Sequence, residues 1–274
     1  MKIYEGKQHF LENFNFKNFL KNYSILSYEE QRNFIDSYDI QTNPEWLKLR
    51  RGKVSASNAN KFLSNSLKVS SLMKTKKYQE ANSEEQSKIL SEIPFDERMG
   101  DSCKELAFKI LAEKKTKWED YYSAITDRVS VKRGLIFEQF SSKIYEKETG
   151  NKLIDVLFIE KDDLFGFSPD KLIVADDKRI AVEIKNFEPP AYYKAVLDCQ
   201  KKETIDQVQF QIWAGELDRV DVIYTSFEDN SFKIISHYPD PVIQANLKQR
   251  AKDFKKFLDL LSFSLSNNTK EIKC

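Results

Sequence analysis

The sequence predicts an α/β fold, a sheet held between helices, with a helical elaboration at the N-terminus. Three observations carry that prediction. Twenty Phe against only seven Gly describe a helix-rich chain with few tight turns. Residues 1 to about 132 read as polar, capped, amphipathic helices without turn-rich linkers. From residue 133 onward the pattern changes to helix, three strands, helix, strands and a closing helix, the order of an α/β sandwich.

Residues 1–40, rich in Phe and Asn, read as a helical preface, and Ser27 with Glu30 has the form of a capping box. Asn43-Pro44 marks the next start, with Pro at the first helical position ahead of EWLKLRRG. After Gly52, KVSASNANKFL opens another helix, with Ser55 or Ser57 at its N-terminus. RGLIFEQFSSKIYEKETG follows as a helix with Phe137, Phe140 and Ile144 on one face and Gly150 at the C-terminal cap. KLIDVLFIE is a strand, and FGFSPDKLIVA, a DDKR turn and IAVEIKNF form antiparallel strands. A helix over about 203–215 leads to the strands DRVDVIYTSF and SFKIISHY. A charged helix over about 241–262 closes the chain. No internal repeat or boundary appears, so residues 1–274 are expected to form a single domain: an extension over 1–40, a core over 41–240, and a C-terminal helix and tail over 241–274.

Composition sets the outer limits. A chain of 274 residues that is 41% hydrophobic and 13% aromatic buries a substantial core. Its 44 Lys and Arg balance 43 Asp and Glu, so any surface for a polyanion must come from local segregation of charge. The start MKIYEGKQHF lacks the form of a signal peptide, and no apolar run reaches membrane-spanning length. Cys103, Cys199 and Cys274 are odd in number and far apart. They point to a cytoplasmic or other intracellular reducing compartment, not a disulfide framework. With only His9 and His237, a His-rich zinc site or a His-based triad has little material. Catalysis, if present, falls to carboxylates, lysines and a hard metal ion.

The strand RIAVEIKNF carries the candidate chemistry. Alternation puts Ile180, Val182 and Ile184 on one face and Ala181, Glu183 and Lys185 on the other, the apolar set facing the core. Alone, the Glu183/Lys185 pair reads as an ordinary solvated ion pair. Asp170, in SPD just before the preceding strand, changes this, because the hairpin can bring it beside Glu183. Two adjacent carboxylates repel unless a cation lies between them, and hard ions such as Mg²⁺ take oxygen ligands of this kind. A lysine within reach can orient a water and offset charge on a phosphate, which suits phosphodiester hydrolysis.

SPD, followed after twelve positions by VEIK, resembles the signature of the PD-(D/E)XK nucleases. More narrowly, the chain resembles the lambda-exonuclease-like family, the YqaJ-type viral recombinases. EWLKLRRGKVSAS, RGLIFEQF, FSPDKLIV with VEIK, and DQVQFQIW match its segments in order, over residues 45–60 and 133–225. The resemblance implies a restriction-endonuclease-like core, a central mixed sheet flanked by helices. It implies that Asp170, Glu183 and the backbone carbonyl of Ile184 bind Mg²⁺, with Mn²⁺ able to substitute. Lys185 positions the attacking water, and Glu138 completes the acidic cluster. Arg50, Ser57, Ser168 and Gln207 match positions that surround a terminal 5′-phosphate. An N-cap serine and an exposed arginine are the plainer readings of Ser57 and Arg50. Gln207 and Gln211 lie one turn apart, and for Gln211 a buried interhelical hydrogen bond is the only role assigned. Trp46 reads as packing. Lys171 stands where many relatives have Gly, Asn186-Phe187 replaces a common Cys-Pro, and Thr204 replaces an aromatic.

The implied function is a 5′-to-3′ exonuclease on linear double-stranded DNA, resecting ends for recombination. A homo-oligomer, as a trimeric ring, and a single-strand annealing protein are the implied partners, with no membrane. An endonuclease of the same fold, in restriction or host nucleic-acid degradation, and a non-catalytic DNA-binding relative remain open alternatives. Lys248, Arg250, Lys252, Lys255 and Lys256 form a basic stretch that reads either as a solvated helix face or as a DNA contact.

Overall fold

The computed structural model describes residues 1–11, 14–38, 40–116, 129–175, 178–198 and 201–268. The N-terminal segment does not begin as a helix. Strands β1 (Lys2–Glu5) and β2 (His9–Leu11) precede helices α1 (Phe16–Tyr23) and α2 (Tyr28–Asp36). Strand β1 adds to one edge of the main sheet, while β2 pairs with β3 (Ile40–Thr42). A stretch of alternating residues too short to show a period explains why a helix was expected there. The caps behave as expected. Ser27 and Glu30 close a capping box on α2, and Asn43 caps α3 (Pro44–Arg50) with Pro44 in its first turn.

A single 3₁₀ turn (Ala56–Asn58) leads into α4 (Ala59–Phe62), α5 (Leu67–Met73), α6 (Lys76–Gln79), α7 (Ser83–Ser91), α8 (Phe95–Arg98) and α9 (Asp101–Lys115). The expected helical run to residue 132 falls partly on 117–128, outside the described residues. Helix α10 (Val129–Thr149) ends at Gly150, whose φ of +74° is the left-handed cap its glycine permits.

Among the described residues the main sheet has seven strands. β4 (Ile154–Glu160), β6 (Lys171–Ala175), β7 (Lys178–Asn186), β8 (Arg219–Ser226) and β9 (Ser231–His237) follow β1 in the order β1-β4-β6-β7-β8-β9, with β5 (Gly166–Phe167) paired to β4. β6 and β7 are antiparallel, and residues 176 and 177 of the expected turn lie outside the described set. β7 and β8 are parallel, so the sheet is mixed. Their crossover holds α11 (Pro189–Leu197), which was not anticipated, and α12 (Lys202–Gly215). Helix α13 (Pro241–Asn268) packs last.

The sheet is buried on both faces. One face meets α12, α9 and α13 through Ala181, Val222, Phe210, Leu106 and Phe254. The other meets α10 through Tyr145, Val182 and Ile223. The Phe-rich preface finds its purpose in a third cluster, where Phe19 and Tyr23 of α1 pack with Ile35, Ile136 and Phe137. Phe137 stacks on Phe227 with centroids 4.7 Å apart. No helix among the described residues is long and apolar enough to cross a membrane. Cys103 is buried, which pushes its thiol up to about 11; Cys199 and Cys274 lie outside the described residues.

Candidate active site

Glu183 sits mid-strand on β7, on the face covered by α12, and is only 6% exposed. A buried carboxylate must be matched by donors, and here it is. Its Oε1 accepts from Lys185 Nζ and from Gln207 Nε2, each at 2.7 Å, and its Oε2 accepts from Gln211 Nε2 at 2.8 Å. Gln211, completely buried, therefore does more than join helices: it is a donor to the candidate metal ligand. The alternation of β7 holds, but both of its faces are interior, so the Glu183 face is not the solvated face of a surface ion pair.

Lys171 pairs in register with Val182, which sets the residue before it, Asp170, level with Glu183. Asp170 Oδ2 accepts from the Ile184 amide at 2.6 Å. Burial pushes the Asp170 carboxyl well above the usual carboxylate range. Glu183 and Glu138 push it further, against Lys185 and the Ile184 amide. Burial also works against charge on Lys185, but Glu183 and Asp170 outweigh it and hold the ammonium protonated. Two close carboxylates with hard oxygen donors are what a small divalent cation fits.

Glu138 lies close enough to Asp170 to raise its pKa and lines the same cavity, and it also holds an ion pair of its own. Its Oε1 is bonded to Lys171 Nζ, and the same ammonium donates to Asp155 Oδ1 at 2.7 Å. Among the described residues, no three His, Cys, Asp or Glu side chains stand together as a metal-holding group. Lys171 instead bridges Glu138 and Asp155.

Three of the four expected phosphate-pocket residues are joined through Arg50 and Trp46, and Gln207 shares a cavity with Ser57. Arg50 Nη2 donates to Ser57 Oγ at 3.3 Å, and its guanidinium lies 4.4 Å from the centre of the Trp46 ring. Trp46 Nε1 donates to Ser168 Oγ at 2.6 Å, so this buried ring packs as expected and also links Arg50 to Ser168. Ser57, Gln207 and Lys185 line one cavity of about 610 Å³, walled by Lys194 and Thr204. Ser55, not Ser57, occupies the cap position, and without a capping hydrogen bond. The helix that follows has four residues, too short to lend much dipole to an anion. Positive charge near Ser57 comes from Arg50 instead.

The model of the YqaJ-like viral recombinase domain matches residues 45–218, well over half of the chain. The chain belongs to the YqaJ-like viral recombinase family. Among solved structures it is similar to an alkaline exonuclease, LHK-Exo, from Laribacter hongkongensis, at 18% identity and a TM-score of 0.57, covering 83% of this chain and 100% of that one. It is also similar to a phage-related exonuclease from Haemophilus somnus 129PT, at 12% identity and a TM-score of 0.54, covering 80% and 98% respectively. These likenesses establish the fold. No curated protein matches the sequence.

Two supporting residues escaped the family motifs. Gln8, from the loop between β1 and β2, donates Nε2 to the carbonyls of Pro169 at 2.7 Å and Val156 at 3.0 Å, bracing the turn that carries Asp170. Nothing in the local sequence signals it, since the link spans 161 positions. Asp155 is the other, and its signal was present as one of two acids in a mainly apolar strand. Arg250, taken with the basic stretch of the last helix, points inward: it is 7% exposed and bonds Asn65 Oδ1 at 2.5 Å. The stretch is thus not a single basic face.

Proposed function

We propose that this chain is a divalent-metal-dependent deoxyribonuclease that degrades linear duplex DNA from 5′-phosphorylated ends. The observation that carries the reading is the assembly of Asp170, Glu183 and Lys185, with Lys185 reaching a cavity also lined by Ser57 and Gln207. Asp170, Glu183 and the Ile184 carbonyl supply the hard oxygen donors suited to Mg²⁺ or Mn²⁺. When bound there, such an ion would polarise the scissile phosphate and ease deprotonation of the attacking water.

The protein's own groups do the rest. Lys185 stays protonated between Glu183 and Asp170, so its ammonium orients the attacking water and faces the phosphate charge. Gln207 and Gln211 fix the Glu183 carboxylate from α12, so it needs no reorganisation during the reaction. Arg50, prestacked on Trp46, offers a planar fork to a terminal phosphate, and Ser57 adds a hydroxyl. Ser168, fixed by the Trp46 indole, sits two residues before Asp170 and ties that pocket to the metal ligands. Family membership supports two further parts of the reading, a trimeric ring around duplex DNA and a single-strand annealing partner.

The deciding experiment compares linear and covalently closed duplex DNA with Mg²⁺. Linear DNA is degraded and closed circles survive. A 5′-phosphorylated end is degraded about tenfold faster than a 5′-hydroxyl end, a preference of about 1.4 kcal/mol that one charge-assisted contact can supply. Arg50→Ala erases most of that ratio. Equal cutting of circles with no effect of the 5′ group would replace the exonuclease reading with an endonuclease one.

A further inference from the structure

Lys171 has no part in the reaction just described, yet its side chain is more enclosed than that of Lys185. It begins β6, and both of its sheet partners matter. Asp155 is its register partner on β4 and Val182 its register partner on β7. Residues directly opposite in an antiparallel pair share a face. Val182 lies on the face packed against α10, with Tyr145 and Ile223, and Glu138 comes from α10 itself. Glu183 lies on the opposite face, under α12. The Lys171 ammonium, whose side chain is 14% exposed, therefore gathers Glu138 and Asp155 on the α10 side of the sheet.

Charge balance gives this arrangement a consequence. Asp170, Glu183, Glu138 and Asp155 carry four formal negative charges, and Lys171 and Lys185 carry two positive ones. The net deficit equals the charge of one divalent cation. Nucleases that use a pair of ions hold them about 3.5–4 Å apart and need carboxylate oxygens for both. Here the third carboxylate is occupied by an ammonium, and no three-carboxylate group forms among the described residues.

We infer that the Lys171 ammonium is a built-in cation of the acidic site, holding Glu138 against Asp155 so that the Asp170–Glu183 centre takes one divalent ion and not two. This rests on the nuclease reading above and makes Lys171 a positioning residue, acting through Glu138.

The test counts Mn²⁺ bound per full-length chain by electron paramagnetic resonance, with Asp170→Ala as the blank for adventitious ions. The wild type binds one ion. Lys171→Met, which keeps the length of the side chain and removes its charge, frees Glu138 and binds a second ion. Lys171→Arg keeps one, and adding Glu138→Gln to Lys171→Met returns the count to one. The Mg²⁺ dependence of cleavage steepens in step, its Hill slope going from about one to about two. Two ions in the wild type, or one ion in a folded Lys171→Met protein, overturns the role of Lys171 and leaves the nuclease reading standing. No ion in the wild type, with linear DNA uncut, overturns both.

Discussion

Replacing Gln211 by Leu isolates one hydrogen bond whose loss has a calculable result. The side chain is fully buried and donates to Glu183 Oε2 at 2.8 Å. Glu183 Oε1 has two donors, Lys185 and Gln207, whereas Gln211 is the donor named for Oε2. Leu nearly matches Gln in volume, so the packing around α12 survives. Gln211 Oε1 itself has no hydrogen-bond partner among the described residues, so the change also removes a buried unpaired acceptor. Global stability should therefore shift by no more than about 1 kcal/mol. The carboxylate is affected more. A hydrogen bond to a charged group contributes about 1.5–3 kcal/mol, which corresponds to roughly 10- to 150-fold, and loss of such a supporting donor typically weakens metal binding about 10- to 100-fold. Gln207→Leu leaves Lys185 on the same oxygen and should cost metal affinity about tenfold or less. It should instead reduce the 5′-phosphate preference, because Gln207 shares its cavity with Ser57. Mn²⁺ titration of the two variants, together with rates on phosphorylated and unphosphorylated ends, separates these effects. A folded Gln211→Leu protein with Mn²⁺ affinity within about twofold of the wild type would refute the assignment of Gln211 as a positioning donor.

Other perturbations follow from the same contacts. Asp170→Ala, Glu183→Ala and Lys185→Ala should each bring hydrolysis of a linear duplex to background while leaving circular dichroism unchanged; full activity of Glu183→Ala rejects the site. Arg133 joins α10 to Glu228 at 2.5 Å and to the Tyr23 hydroxyl at 3.1 Å, so Arg133→Met should cost about 2–4 kcal/mol in urea unfolding. His9 packs edge-on against Trp46, and burial, aided by Arg50, lowers its pKa to about 4. An unfolded His titrates near 6.5, so between about 6.5 and 4 the unfolded chain binds the extra proton. The stability this contributes is complete above pH 6.5 and lost as pH falls through 4, with a ceiling of about 3 kcal/mol. The gap in urea midpoint between wild type and His9→Phe should change across that window, and a constant gap argues against a buried neutral His9.

The hairpin from β6 to β7 was legible because its signals are local. Alternation, a short turn and the spacing of Asp170 from Glu183 each act over a few residues, and the observed register agrees. The caps at Ser27, Asn43 and Gly150 were legible for the same reason. The edge strand β1 was not, because four residues with an exposed face carry almost no period, and what fixes them is pairing with β4, more than 150 positions away. Helix α11 was hidden behind Pro189-Pro190, a pair that reads as a break but here fills the first helical turn.

The burial of the site was not legible, because the sequence rule assumes one wet face. A half-buried strand sends its apolar residues inward and its polar ones to water, and on that rule Glu183 and Lys185 look solvated. β7 is instead central, with β6 on one side and the parallel β8 on the other, and a parallel pair requires a crossover whose helix covers a face. That helix is α12, so the crossover that makes the sheet mixed also buries Glu183 and must supply its donors. Gln207 and Gln211, one turn apart, are those donors. A polar pair on the apolar stripe of a crossover helix is thus the readable trace of a carboxylate buried on the strand beneath it. Lys171 follows the same logic on the other face. A charged residue opening a central strand must find partners where it is buried, and it takes Glu138 and Asp155. Both faces of one hairpin are thereby charged, and each carries its own lysine against its carboxylates.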